Sequence, residues 1–194
     1  NVSIANSAKN RIFFEHNIEK VVDNRTVVKK SQISITHKGR MVIEVYQRRP
    51  ILRFETNKGG FYMDETAYIF PLVRTFTSYV PIITGEIPFD IPTERYRGVI
   101  EKSEWAHMIK DFGLYLEKEE FWNSMIDQIF VNNKGELILI PKNGTKEIIF
   151  GKPEDIETKF RKLFAFYDKV VYIYGWNHYK SVDLRFNNQI VCKK

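Results

Sequence analysis

The stretch Tyr179-Lys180-Ser181-Val182-Asp183-Leu184-Arg185-Phe186-Asn187-Asn188-Gln189-Ile190-Val191-Cys192-Lys193-Lys194 decides how this chain is read. Val182, Leu184 and Phe186 alternate with Asp183 and Arg185, the two-residue period of a strand with one buried face. Asn187-Asn188 supplies a turn, because short amide side chains tolerate left-handed backbone and bond their own main chain. The apolar pattern resumes at Ile190-Val191 and gives way to Lys193-Lys194. A strand in this position is expected to leave one row of backbone N–H and C=O groups unpaired, where a second polypeptide can add a strand. The pattern points to a protein that binds another chain.

Upstream, Ile126 to Val131, Glu136 to Ile140 and Thr145 to Phe150 form an antiparallel meander, with tight tips at Asn132-Asn133-Lys134-Gly135 and Lys142-Asn143-Gly144. Two helices flank it. Ser103 caps a helix that places Trp105, Met108, Ile109, Phe112, Tyr115 and Leu116 three or four residues apart on one face, and the helix stops before Glu119-Glu120. Pro153 suits a first helical turn, with Glu154, Asp155 and Glu157 at the positive end of the helix and Ile156, Phe160, Leu163, Phe164 and Tyr167 as its buried stripe.

Toward the beginning, Ile18 to Val22 continues the apolar positions Ile12, Phe13 and Phe14 into a short amphipathic helix ending near Asp23-Asn24. A hairpin follows: Ile33 to His37 alternates, Lys38-Gly39 turns, and Met41 to Tyr46 returns. Arg48-Arg49-Pro50 breaks the pattern, since proline removes a ladder donor, and the boundary between two domains is placed there. From Pro50 through Pro71, Pro81 and Pro88 to Pro92, loops and short extended pieces are expected to dominate. The fold class is α+β: a helix-hairpin domain over 1–49, then over 50–194 a mixed β domain with an antiparallel meander, two helices and a C-terminal edge strand.

Composition bounds the function. With 194 residues, 43% hydrophobic and 14% aromatic, the chain builds one large core beside a small one, and no run is long enough for a membrane span. It reads as soluble, while the first residue, Asn1, is compatible with an anchor or signal before it. The net charge of +6 is spread among acidic groups such as Glu117-Lys118-Glu119-Glu120, so it reads as a solvated basic surface and no nucleic acid is expected as a partner. Cys192 is the single cysteine, which forbids an internal disulfide and supplies no metal cluster.

Catalytic patterns are missing. His16, His37, His107 and His178 lie far apart with no metal-ligand spacing, and neither a Gly-x-Ser-x-Gly elbow nor a Gly-rich phosphate loop occurs. Glu119-Glu120 and Glu154-Asp155 are adjacent pairs whose simplest explanation is exposure at helix ends. Trp105 and Trp122 read as core residues, and Trp176, after Tyr174-Gly175, is left open between core and surface.

An ordered set of segments resembles one family, the bacterial cell-division protein FtsQ, called DivIB in some bacteria. The set runs through Ile43-Glu44-Val45-Tyr46-Gln47-Arg48-Arg49-Pro50-Ile51-Leu52-Arg53, Phe61-Tyr62-Met63-Asp64, Val80-Pro81-Ile82-Ile83-Thr84-Gly85, Phe121-Trp122, Asp127-Gln128-Ile129 and Val182-Asp183-Leu184-Arg185-Phe186. The ending Asn188-Gln189-Ile190-Val191-Cys192 is similar to the Gram-negative branch with short C-terminal tails. The chain departs from the pattern in two places. The segment before the hairpin is short for a full POTRA domain, and Ala67 stands where the family usually has Gly after Asp64.

The resemblance implies a single-pass inner-membrane protein with a POTRA-like domain over 1–49, short for a complete one, and an FtsQ-type β domain over 50–194, both in the periplasm. It implies a divisome scaffold without enzymatic activity or cofactor, binding an FtsB-like and FtsL-like complex through a strand added at the C-terminal edge. The membrane is met through an N-terminal anchor absent from this chain. Carried over by position, Arg185 is the partner for an acidic residue of the FtsB-like protein and Phe186 an apolar anchor, with Asn188 and Ile190 completing the contact. Two alternatives remain at this point: a POTRA-bearing polypeptide-binding component of outer-membrane assembly or transport, and a periplasmic peptidoglycan hydrolase using two carboxyl groups.

Overall fold

A computed structural model describes residues 15–36, 38–143, 146–175 and 178–194. The expected apolar positions Ile12, Phe13 and Phe14, the strand end at His37, the Gly144-Thr145 part of a hairpin tip and Trp176 lie outside the described residues. The chain divides into two compact units, 1–49 and 50–194.

In the first unit a helix over 15–23 (α1) is followed by strand β1 (Val28–Ile35) and strand β2 (Met41–Gln47), paired antiparallel with Ile33 opposite Ile43. Gly39 turns the chain at φ +75°, a conformation that costs glycine little because it has no Cβ. Helix α1 is tied to β1 by polar contacts: Ser31 Oγ donates to Asp23 Oδ1 at 2.7 Å, and the Ile33 N–H donates to Glu19 Oε1 at 3.0 Å. Val28, Ser31 and Ile33 are buried there, whereas every residue of β2 is exposed.

The second unit is built on one mixed ten-stranded sheet. Its strands are β3 (Pro50–Thr56), β4 (Gly59–Asp64), β5 (Tyr68–Pro71), β6 (Ile82–Gly85), β7 (Gly98–Val99), β8 (Ile126–Val131), β9 (Leu137–Pro141), β10 (Glu147–Gly151), β11 (Ser181–Asp183) and β12 (Val191–Lys193). Their spatial order is β12-β11-β10-β9-β8-β6-β3-β4-β5-β7, with parallel pairing at β3/β6, β6/β8 and β10/β11. The α+β class, with a large mixed sheet, is as the sequence indicated.

The proline-rich region is more ordered than expected. Pro50 opens β3, Pro71 closes β5 and Pro81 precedes β6, where its carbonyl accepts from the Arg53 N–H at 3.0 Å. The prolines therefore sit at strand ends, where no ladder donor is lost.

Helix α2 (Glu104–Lys118) begins at Ser103, whose side chain accepts from the Ala106 N–H, and lies so close to β3 that a Cβ on Gly113 would stand 2.8 Å from Leu52 Cγ. A second helix, α3 (Glu120–Met125), was not anticipated; it buries Trp122. Helix α4 (Ile156–Phe166) also differs from expectation. Pro153 precedes the helix, the N-cap is Asp155 in left-handed backbone, and the buried stripe is Lys159, Phe160, Leu163 and Phe166, while Phe164 is exposed. The helix runs on through a π turn (Tyr167–Val171) into a last short turn, α5 (Tyr172–Tyr174).

Phe160 is the hub of the core between helices and sheet. Its ring lies 5.8 Å from Phe112, 5.0 Å from Tyr115, 5.0 Å from Trp122 and 5.2 Å from Phe150. Aromatic contacts at these separations add to the free energy of simple area burial. Trp105 fixes the tip of the β8–β9 hairpin, since its Nε1–H donates to Gly135 O at 2.8 Å. Tyr62, fully buried, is packed by Phe70 and Phe76, and its hydroxyl accepts from the Ser78 N–H at 3.1 Å.

Candidate functional site

The site is assembled by the unit β10, α4, β11 and β12. Strand β10 leads into α4, which returns the chain to the start of β11, so β11 pairs parallel to β10. Strand β12 then pairs antiparallel to β11, with Val182 opposite Cys192, and lies at the end of the sheet with β11 as its strand neighbour among the described residues. Among the described residues, one side of β12 has no strand beside it.

The terminal strand is shorter than its alternation suggests. All three residues of β11 are buried, and so is Leu184, because the strand is enclosed by β10 and β12 rather than half exposed. The Leu184 N–H still donates to Ile149 O at 2.9 Å, and the chain then leaves the sheet. Lys162 on α4 holds it there, its Nζ donating to Leu184 O at 2.6 Å and to Phe186 O at 2.8 Å. Phe186 is therefore not on a buried strand face: it is 43% exposed. The Asn187-Asn188 turn is present, with Asn188 at φ +59°.

Arg185 has a fixed place. Its Nε donates to Asp183 Oδ1 at 3.0 Å and its Nη2 to Oδ2 at 2.7 Å, the two-pronged geometry that suits guanidinium and carboxylate. Nη1 reaches Glu136 Oε2 at 3.3 Å, and Glu136 is itself held by Asn132 Nδ2 at 3.0 Å. The Arg185 side chain nevertheless remains 40% exposed. Burial alone pushes the Asp183 carboxyl up, but the hydrogen bonds and charge of Arg185, helped by Lys193, outweigh it and hold its pKa below the usual carboxylate value. The Asp183 hydrogen bond in turn raises the pKa of Arg185, so the guanidinium stays charged. A free, solvated strand arginine is not what the structure contains.

Of the sequence-predicted residues, Arg185, Phe186 and Asn188 lie in the exposed segment between β11 and β12, while Ile190 is partly buried against the core. Asp183, Glu136, Lys162 and Gly151 complete the site and were missed. Asp183 and Arg185 stand on the same side of the alternation, which was a signal for their pairing; Glu136 comes from the β8–β9 turn and Gly151 from the end of β10, both distant in sequence, and had none. Cys192 is half-buried, and desolvation pushes its thiol pKa up.

Other candidate chemistry is dispersed. His16 and His107 are exposed on α1 and α2, and His178 stacks on Tyr174 at 5.1 Å. Glu119 caps the junction of α2 and α3 with Glu120 beside it, and Glu154-Asp155 is exposed ahead of α4. Among the described residues no group of three or more His, Cys, Asp or Glu could hold a metal ion, and no helix is long and apolar enough to cross a membrane.

The second unit is thus an α+β domain whose mixed sheet carries helices α2 and α4 and ends in an open strand. Residues 49–193 match the family described as FtsQ/DivIB, C-terminal related, and the chain belongs to that family: it is a cell-division protein of the FtsQ/DivIB type. No curated protein matches the chain.

Proposed function

We propose that this protein is a non-enzymatic scaffold of the bacterial division machinery, which binds an FtsB–FtsL-like complex by accepting a strand on the outer edge of β12. The observation that supports the reading is the open side of β12, flanked by exposed Phe186 and Val191 and by the braced Arg185. A strand laid along such an edge is bound by main-chain hydrogen bonds, while side chains at its rim set register. Arg185, Phe186, Asn188 and Ile190 form the principal contact. Because Asp183 already orients the guanidinium, a partner carboxylate meets a pre-positioned Nη1 in competition with Glu136, and little side-chain freedom is lost on binding. A transmembrane anchor preceding this region and a periplasmic location belong to the same reading.

Hydrogen exchange tests it. On addition of the purified extracytoplasmic region of an FtsB–FtsL-like pair, the amides of 190–194 should slow, and Phe186→Ser should weaken the complex about tenfold, the scale of an interface anchor. Unchanged exchange at 190–194 in a complex that forms would place the interface elsewhere.

A further inference from the structure

We propose that the helix tip Tyr172–Ile173–Tyr174 is a second contact surface for the chain that adds its strand to β12, and that it receives an apolar segment of that chain carrying acidic side chains. This inference rests on the strand-addition reading and extends it beyond the edge.

Three adjacent large side chains stand in water at this tip: Tyr172 is 89% exposed, Ile173 70% and Tyr174 56%. Contiguous exposed apolar surface of this kind marks a contact site more often than chance. The π turn produces it. From Tyr167, regular α spacing would bring Val170, Val171 and Tyr174 to the core side, but the wider turn keeps Val171 buried and carries Tyr174 out. Single π turns inserted in helices frequently coincide with functional sites.

The tip is continuous with the β12 edge. Tyr174 stacks on His178 at 5.1 Å and meets Tyr179 edge-on at 6.5 Å, while Tyr179 contacts Phe166 of α4 at 6.0 Å. The next residue, Lys180, donates its N–H to Lys193 O at 2.8 Å, at the last residue of β12. Because α4 returns to the start of β11, its end, the start of β11 and the end of β12 share one end of the sheet. A strand running along β12 and past Lys193 arrives beside the tip, since strands lie only about 4.8 Å apart.

Charge selects the occupant. Lys146 donates its N–H to Lys180 O at 3.1 Å, so Lys146 and Lys180 lie side by side on adjacent chain segments, while Lys193, opposite Ser181, stands in the next row with Glu147. All three are exposed and none makes an ion pair with another described residue; Lys193 has Glu147 in its row and acts on Asp183, which leaves Lys146 and Lys180 as the adjacent like charges. Like charges on neighbouring strands are unfavourable in isolation. An acidic segment removes that repulsion, and the tyrosine faces accommodate its apolar side chains.

The test compares three forms of this protein against the purified extracytoplasmic region of an FtsB–FtsL-like pair: the parent, Tyr172→Ser/Tyr174→Ser, and Lys146→Glu/Lys180→Glu. Each is first shown to be folded by circular dichroism and thermal melting. Both variants should bind about tenfold or more weakly, the lysine variant losing most at low salt, while at saturating partner the amides of 191–193 remain protected as in the parent. Affinities within twofold of the parent, with 191–193 still protected, overturn the tip as a contact and leave strand addition standing. Loss of that protection in the parent complex defeats the strand-addition reading itself. Sedimentation with phosphatidylglycerol–phosphatidylethanolamine vesicles completes the set: vesicle binding by the parent that the tyrosine variant lacks assigns the tip to a lipid surface and overturns the proposal.

Discussion

Arg185 lies across Gly151, so closely that a Cβ built on the glycine would stand 2.7 Å from Arg185 Cγ and 3.2 Å from Cδ. Gly151 closes β10 at φ +80°, beside a register shift between Ile149 and Gly151. A bulge and a missing side chain together make the bed on which the arginine reaches Asp183. Gly151→Ala should therefore do two things: impose left-handed strain of about 1–2 kcal/mol and displace the guanidinium. Gly39→Ala isolates the first effect, since Gly39 has nearly the same φ, +75°, with nothing within 4 Å of its would-be Cβ. Urea unfolding should show a larger loss for Gly151→Ala, and partner affinity should fall for it alone. Equal losses in the two variants would show that the arginine simply moves aside.

The Asp183–Arg185 pair gives stability a dependence on acid. Asp183 has its pKa held down in the folded state by Arg185 against the opposing effect of burial, so the folded protein resists protonation at this site more than the unfolded chain does. A depressed carboxyl contributes stability that is present above its unfolded pKa, about 3.9, and is lost as pH falls through the lower folded value. Melting temperature should drop below about pH 4, and Asp183→Asn should flatten part of that drop while lowering stability at neutral pH. A variant with the parental acid profile would mean that other carboxylates carry the dependence.

Ala67 occupies left-handed backbone at φ 61°, in a turn organised by the buried Asp64 carboxylate. Asp64 Oδ1 accepts from the Thr66 N–H at 2.9 Å, the Thr66 hydroxyl at 2.6 Å and the Tyr68 N–H at 3.1 Å. The glycine usual at this place in the family fits the same backbone without a Cβ clash. Ala67→Gly should stabilise the protein by about 1 kcal/mol, the lower end of the cost of left-handed backbone in an L-residue, which raises Tm by about 2–4 °C in a chain of this size. A fall in Tm would mean that burial of the Ala67 methyl outweighs the strain.

Local chemistry made much of this fold legible. The Lys38-Gly39 and Asn132-Asn133-Lys134-Gly135 turns, the Ser103 cap and the stripe from Trp105 to Leu116 are each specified by residues close together in the chain. What remained hidden depends on distant partners. Parallel pairing of β3, β6 and β8 needs strands with no local signature of being neighbours. The strand expected to continue to Phe186 stops at Asp183, because Lys162 captures the carbonyls of Leu184 and Phe186. Asp155, read as a favourable helix-start acid, instead takes φ 50° and sets the first helical residue at Ile156. At the site, the exposed segment was readable but the brace formed by Asp183, Glu136 and Gly151 was not, and that brace turns Arg185 from a mobile charge into a fixed one.

The π turn offers a direct handle on the surface it displays. A π turn is equivalent to one extra residue in an α-helix, and Lys169 is an exposed member of it. Deleting Lys169 should restore regular spacing: Val171 then follows Tyr167 by three positions and Tyr172 by four, so both fall on the core side of the helix. Tyr172 should lose most of its accessibility, read as slowed nitration by tetranitromethane located by peptide mapping, while Ile173 and Tyr174 are carried to a new face. The core from Phe160 to Val171 keeps its side chains, so Tm should change by no more than a few degrees, as expected for a loss of about 1 kcal/mol. Rapid nitration of Tyr172 in a folded deletion variant would show that the helix end is held outward by its surroundings and not by the π turn.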